Sequence, residues 1–180
     1  MKRWPVFSFL GWMVLPTMAL AASYAPVADF SRVGSNPQCR LTTMHESFLN
    51  NWTPGANFFQ VPAYPNAILT SAMASGKAQV HGRSYQTLPS AVLLSSDPPE
   101  AVVEFYQGKL GSGWHRAEDL DMVYLYRAPQ PFASGEALTK QLMTMPGSLP
   151  HIAIDGEVAP CDQLLVPGAR TRITIVSPPR

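Results

Sequence analysis

Two cysteines, Cys39 and Cys161, stand 122 positions apart in a chain of 180 residues. If they pair, the fold must bring the start of the mature chain against a loop just before its last strand. The compartment decides that question. Met1-Lys2-Arg3 is a basic start, Trp4 to Leu20 is apolar apart from Ser8, Gly11, Pro16 and Thr17, and Ala19-Leu20-Ala21-Ala22 supplies small residues. These are the three parts of a secretory signal, and cleavage is expected after Ala21 or Ala22. A retained anchor is disfavoured: Pro16 interrupts a run already short for the ~20 residues of a span. No cysteine follows the small residues, so lipid attachment is not expected. The sequence therefore divides into a signal peptide (1–22), an irregular N-terminal segment with a short helix (23–61) and a folded domain (62–180). It is expected to be periplasmic or secreted, with no transmembrane anchor after cleavage. In an oxidising compartment two cysteines make one disulfide most simply; the alternative is a reactive thiol with His45 as its base.

About 158 residues remain after cleavage, enough for one domain with a real core. The chain has 13 Lys+Arg and 12 Asp+Glu; loss of Lys2 and Arg3 leaves 11 against 12. With no basic run, nucleic-acid binding lacks its electrostatic footprint and no nucleic-acid partner is expected. Charged residues are 14% of the chain against the usual ~25%. Prolines number 18, about twice the common ~5%, and fall between the expected elements.

Leu41, Met44 and Phe48 have near-helical spacing, so a short helix is expected over 39–50. Residues 52–65 are aromatic and loop-like. A strand is expected over Ala67–Met73 and a turn at Ser75-Gly76-Lys77. Two more extended runs follow, at Gln79–His81 and Ser84–Leu94, the second demoted to an edge by Pro89. The strongest element is a helix over 98–110, with Asp97 as N-cap, Pro98 at N1 and Glu100 at N3. Val102, Phe105, Tyr106 and Leu110 would form its stripe, and Gly111 and Gly113 its stop. Strands are expected from Gly113, over Met122–Arg127, Pro150–Ile154 and Thr171–Val176, and a helix capped by Ser134 over 135–145. Short turns between successive strands imply antiparallel pairing. The expected fold is α+β: one domain, a mainly antiparallel sheet of about four to six strands, and one or two helices packed on one face.

Pro62-Ala63-Tyr64-Pro65-Asn66-Ala67, the run Asp97 to Tyr106, Leu110, Gly113-Trp114 and Thr171 to Ile175 together resemble a pattern in small periplasmic proteins and lipoproteins of proteobacteria. There a YPGA start precedes a strand, a VxxFYxxxLxxxGW helix and a closing TxIxI strand. Asn66 stands where that pattern has Gly, and Asn tolerates φ > 0 next best. The resemblance covers roughly 62–128 and 170–176. It implies an architecture and transfers no catalytic residue.

The chemistry-bearing residues are dispersed. His45, His81, His115 and His151 have no metal-ligand spacing, and His45-Glu46 lacks the second histidine of H-E-x-x-H, since position 49 is Leu. G-x-S-x-G and phosphate-loop patterns are absent. No catalytic, metal or cofactor residue is assigned. Trp52, Phe58, Phe59 and Tyr64 could form a platform for sugar rings or a partner peptide, or cover one sheet edge as core. The expected function is a non-enzymatic binding or accessory module, its partner an envelope protein or cell-wall component. The alternative is a small hydrolase using His115 with Glu118 or Asp119.

Overall fold

The computed structural model describes residues 24–180, without Ala28 and His81 and without the side chains of Leu41 and Thr43. The expected signal peptide lies outside the described residues.

Among these residues one mixed seven-stranded sheet carries the fold, with strand order β1-β2-β5-β9-β8-β7-β6. The strands are β1 Ala25–Pro26, β2 Ile68–Met73, β5 Ser90–Ser95, β6 Trp114–Asp119, β7 Met122–Arg127, β8 His151–Asp155 and β9 Thr171–Val176. A separate hairpin pairs β3 Gly76–Val80 with β4 Arg83–Thr87. The helices are α1 Ser31–Gly34, α2 Arg40–Asn51, α3 Pro99–Lys109, α4 Gly135–Thr144 and α5 Pro160–Leu165.

All main-sheet pairs are antiparallel except β1 with β2. A parallel neighbour needs a long crossover, and the segment from Val27 through α1, α2 and the aromatic loop supplies it. Residues 24–61 therefore join the same core: Tyr24, Leu49, Phe59 and Val61 pack in one cluster with Leu69, Leu93 and Ile173.

Strand alternation sorts the two faces. Leu93, Ile173, Ile154 and Val123 are successive cross-strand partners on one face. There they and Leu125 pack with Val102, Val103 and Tyr106 of α3. Tyr124 and Tyr126 point the other way and pack with Leu138 of α4. The helices thus cover opposite faces, not one, because β7 is apolar at consecutive positions and each face needs a cover.

Other expectations change locally. The helix starts at Pro99, with Pro98 at the cap position in extended conformation and no side-chain cap. A residue before proline is pushed out of the helical region, so the second proline shifts the start and leaves Asp97 one position too early. The Asp97 carboxylate instead accepts from the Tyr64 hydroxyl at 2.9 Å. Burial and that carboxylate push the Tyr64 phenol up to about 12. Gly76 does not reverse the chain; it opens β3, donating its N–H to Thr87 Oγ1 at 3.0 Å. Pro89 lies between β4 and β5, outside both ladders, so β5 is a central strand between β2 and β9 rather than an edge. The loop holding Cys161 contains α5.

Candidate functional site

The hairpin β3–β4 is the continuation of the β2–β5 ribbon past a bend at Ala74-Ser75 and Leu88-Pro89. A backbone bond from Leu88 N–H to the Gly147 carbonyl, 2.7 Å, ties this arm to the turn after α4. Gly147 has φ +69°, and a Cβ there would lie 3.3 Å from the Thr87 Cβ. The turn needs glycine both for its backbone conformation and for the close approach of the arm.

Between arm and α4 the face of the sheet opposite α3 stays open as a groove of about 640 Å³. Its floor is built by Ser90 and Val92 of β5, Thr174 and Val176 of β9, and His151 of β8, with Arg172 at one end. The arm contributes Lys77, Ala78 and Leu88; the α4 side contributes Leu142, Pro146 and Gly147. The volume suits a small-molecule site, and apolar walls with few polar groups are the common composition of one. Ser90, Val176 and His151 share one cross-strand row, and Val92 pairs with Thr174 in the next.

His151 is 8% exposed. Its Nδ1–H donates to the Leu149 carbonyl at 2.8 Å, which leaves Nε2 as the acceptor of the neutral ring. Burial holds its pKa below the ordinary value, and the Leu149 bond opposes this more weakly. His45 on α2 is lowered too, by burial, against the pull of the Asp162 carboxylate and with the push of Arg172. Arg172 Nη1 lies 3.9 Å from Asp162 Oδ2, and its Nε is buried without an acceptor.

A histidine held below its unfolded value binds fewer protons when folded. Its contribution to stability is full above ~6.5 and is lost as pH falls through that value toward the lower folded pKa. The groups around His151 are its row neighbours Tyr126, Val176 and Ser90, with Arg172 and Lys77 along the groove. The melting midpoint should therefore fall from pH 7 to pH 5. His151→Gln should flatten part of that fall, as measured by thermal melts across the range; an unchanged slope would assign the pH dependence elsewhere.

The aromatic residues are divided between two parts of the core. Trp52, Phe58 and Phe59 meet edge to face, with centroids 5.0 Å apart for Trp52–Phe58 and 5.2 Å for Phe58–Phe59. Phe59 is fully buried, and Trp52 and Phe58 are half-buried against the main core. Tyr64, 6% exposed, packs instead on Phe105 of α3 at 5.0 Å. Cys39 and Cys161 are disulfide-bonded, with Cα atoms 5.5 Å apart; as a disulfide, neither sulfur is the thiol of the alternative reading.

His115 and Asp119 lie on the same face of β6 but four residues apart, about 13 Å along a strand, while Glu118 alternates to the other face. His115 Nε2 is held by the Ala128 carbonyl at 3.1 Å, and Glu118 is ion-paired with Arg116. These groups do not converge. Among the described residues no group of three or more His, Cys, Asp or Glu is arranged to hold a metal, and no helix is long and apolar enough to cross a membrane.

The groove is not legible in the sequence, because its residues come from distant segments and each has an ordinary role in its own strand. The available signal was β9, where Ile173 and Ile175 face one side and Arg172, Thr174 and Val176 the other. No protein-family model, curated protein or solved structure matches the chain.

Proposed function

We propose that the mature chain is a non-enzymatic binding module of the periplasm or extracellular space, and that the groove under the β3–β4 arm is where it binds an envelope component. The observation that carries this reading is the groove itself, whose floor of Val92, Thr174 and Val176 is flanked by the arm on one side and α4 on the other. The disulfide is consistent with an oxidising compartment. A hydrolase reading is less well supported, since His115 and Asp119 stand four residues apart along β6 and Glu118 faces the other side.

The test is a thermal-shift panel of amphiphiles, cell-wall sugars and peptides on the oxidised mature protein and on Ala78→Trp, which fills the groove from the arm. A ligand at about 100 times its Kd adds ~2.7 kcal/mol, which moves the midpoint of a domain this size by roughly 5–10 °C. The expected result is a shift in the native protein that Ala78→Trp loses. A shift that Ala78→Trp retains would place the site elsewhere, and a flat panel would remove the small-ligand reading.

A further inference from the structure

The charges around the groove point to a ligand class. Arg172 lines it and no aspartate or glutamate does; Lys77 borders it from an exposed position that alternates with Gly76 and Ala78. This is not a reflection of composition, because the chain has nearly equal numbers of acids and bases. On the opposite face a second groove, of about 470 Å³, is lined by Glu100, Glu104, Glu118 and Asp121 with Arg116 alone against them. Acids also stand on the face of the apolar groove, where Asp155 is the cross-strand partner of Arg172 and lines a separate pocket with Asp119, Asp121 and Glu157, but the lining of the groove itself is free of them.

The floor also discriminates between occupants. It lies over β5, β9 and β8, whose backbones are paired on both sides. A peptide laid there would bury amide groups that find no free partner on the floor, and an unpaired buried amide is costly. A hydrocarbon chain has no such requirement. From Arg172 through Thr174 to Val176 the floor runs about 13 Å along β9. At the far end Met73, 52% exposed, forms a soft apolar lip; methionine adapts readily to flexible chains. At the near end the Arg172 side chain is 37% exposed, and its contact with Asp162 is longer than a hydrogen bond. The guanidinium therefore keeps donors for an incoming carboxylate, which it can hold through paired N–H groups.

We propose that the groove binds a single-chain carboxylate, a free fatty acid, with its head at Arg172 and its chain over Val92, Thr174 and Val176 toward Met73. This rests on the binding reading above and adds the chemical class. Dodecanoate is the probe, compared with dodecanol and dodecylammonium, which carry the same chain on neutral and cationic heads. Each is titrated calorimetrically, below its aggregation threshold, into the oxidised mature protein.

Dodecanoate is expected to bind one to one and at least tenfold more tightly than either comparator. Thr174→Trp and Ala78→Trp, one from the floor and one from the arm, should each weaken it tenfold or more. Arg172→Met is made together with Asp162→Asn, so that no buried carboxylate is left unpaired. The double variant should bind dodecanoate and dodecanol alike, while Asp162→Asn alone keeps the preference. Circular dichroism confirms that each variant is folded. Absent dodecanoate binding, equal binding of dodecanol, or undiminished binding by both tryptophan variants would overturn the proposal. If a sugar or peptide gives a groove-dependent thermal shift while dodecanoate does not bind, the ligand class fails and the binding reading stands. If nothing binds in a groove-dependent way, both fail.

Discussion

The protein lacking the Cys39–Cys161 bridge should melt roughly 10–15 °C lower than the oxidised protein. The bridge closes a separation of 122 residues, and a loop of that length carries about 5 kcal/mol of chain entropy in the unfolded state. Packing adds to the entropic term. Cys39 is buried with Val33 and Leu165 in a satellite cluster, with Val27, Phe30 and Val166 around it. That cluster is small, and α1 and α5, the helices that meet there, have four and six residues. Helices so short are not stable by themselves, so the covalent tie carries much of what holds them. The effect should extend beyond the cluster, because α5 also presents Asp162 to Arg172 at one end of the groove. Thermal and urea melts of the oxidised protein and of Cys39→Ala/Cys161→Ala measure this. The variant should also show a larger denaturant slope, since its unfolded state is no longer cross-linked and exposes more surface. A double variant melting within a degree or two of the oxidised protein would mean that the satellite cluster is held by packing alone.

How far the fold could be read from sequence depended on whether a residue's role is local. Ser134 accepts from the Ala137 N–H at 3.1 Å and caps α4, as a serine before a helical stripe should. The β9 alternation is visible in Thr171–Val176 itself, and the disulfide follows from cysteine number once an oxidising compartment is expected. What was not legible depends on partners distant in sequence. Asp97 reads as a cap, but once Pro99 has moved the helix start past it, its carboxylate is taken by Tyr64, 33 residues earlier. Gly76 reads as a turn until Thr87 shows that it opens a strand. The α3 stripe is centred on Val102, Val103 and Tyr106, with Phe105 and Leu110 only partly buried, because the sheet approaches from a direction that helix periodicity does not specify. The aromatic segment 52–64 carries rings that serve either a core or a binding surface, and composition does not separate these; Phe59 and Tyr64 are buried, while Trp52 and Phe58 are half-buried. The groove combines both difficulties. Lys77, Leu142, His151 and Arg172 become neighbours only once the arm folds back and is held by Gly147.

Gly135→Ala should destabilise the protein by about 2–3 kcal/mol and loosen the α4 wall of the groove. Gly135 is the first residue of α4, and a methyl group on it would run into the backbone carbonyl of Glu118 in β6, close to the Asp119 side chain. A flexible side chain could swing aside, but this carbonyl belongs to a strand paired along its length with β7. The helix must therefore lift from the sheet, and Leu138, fully buried against Tyr124 and Tyr126, would lift with it. Helix propensity acts in the other direction, since alanine is better than glycine within a helix by ~1 kcal/mol. A net loss would therefore show that close docking outweighs propensity. Ser134→Ala is the comparison, because it removes the cap from the same turn without adding a clash and should cost only ~1 kcal/mol. Urea melts give both values. The expected order is Gly135→Ala below Ser134→Ala below the native protein, with ligand affinity also reduced in Gly135→Ala because Leu142, Pro146 and Gly147 lie at the other end of α4. If Gly135→Ala proves as stable as the native protein, α4 does not approach β6 this closely, and the groove lacks the rigid wall on which the binding reading depends.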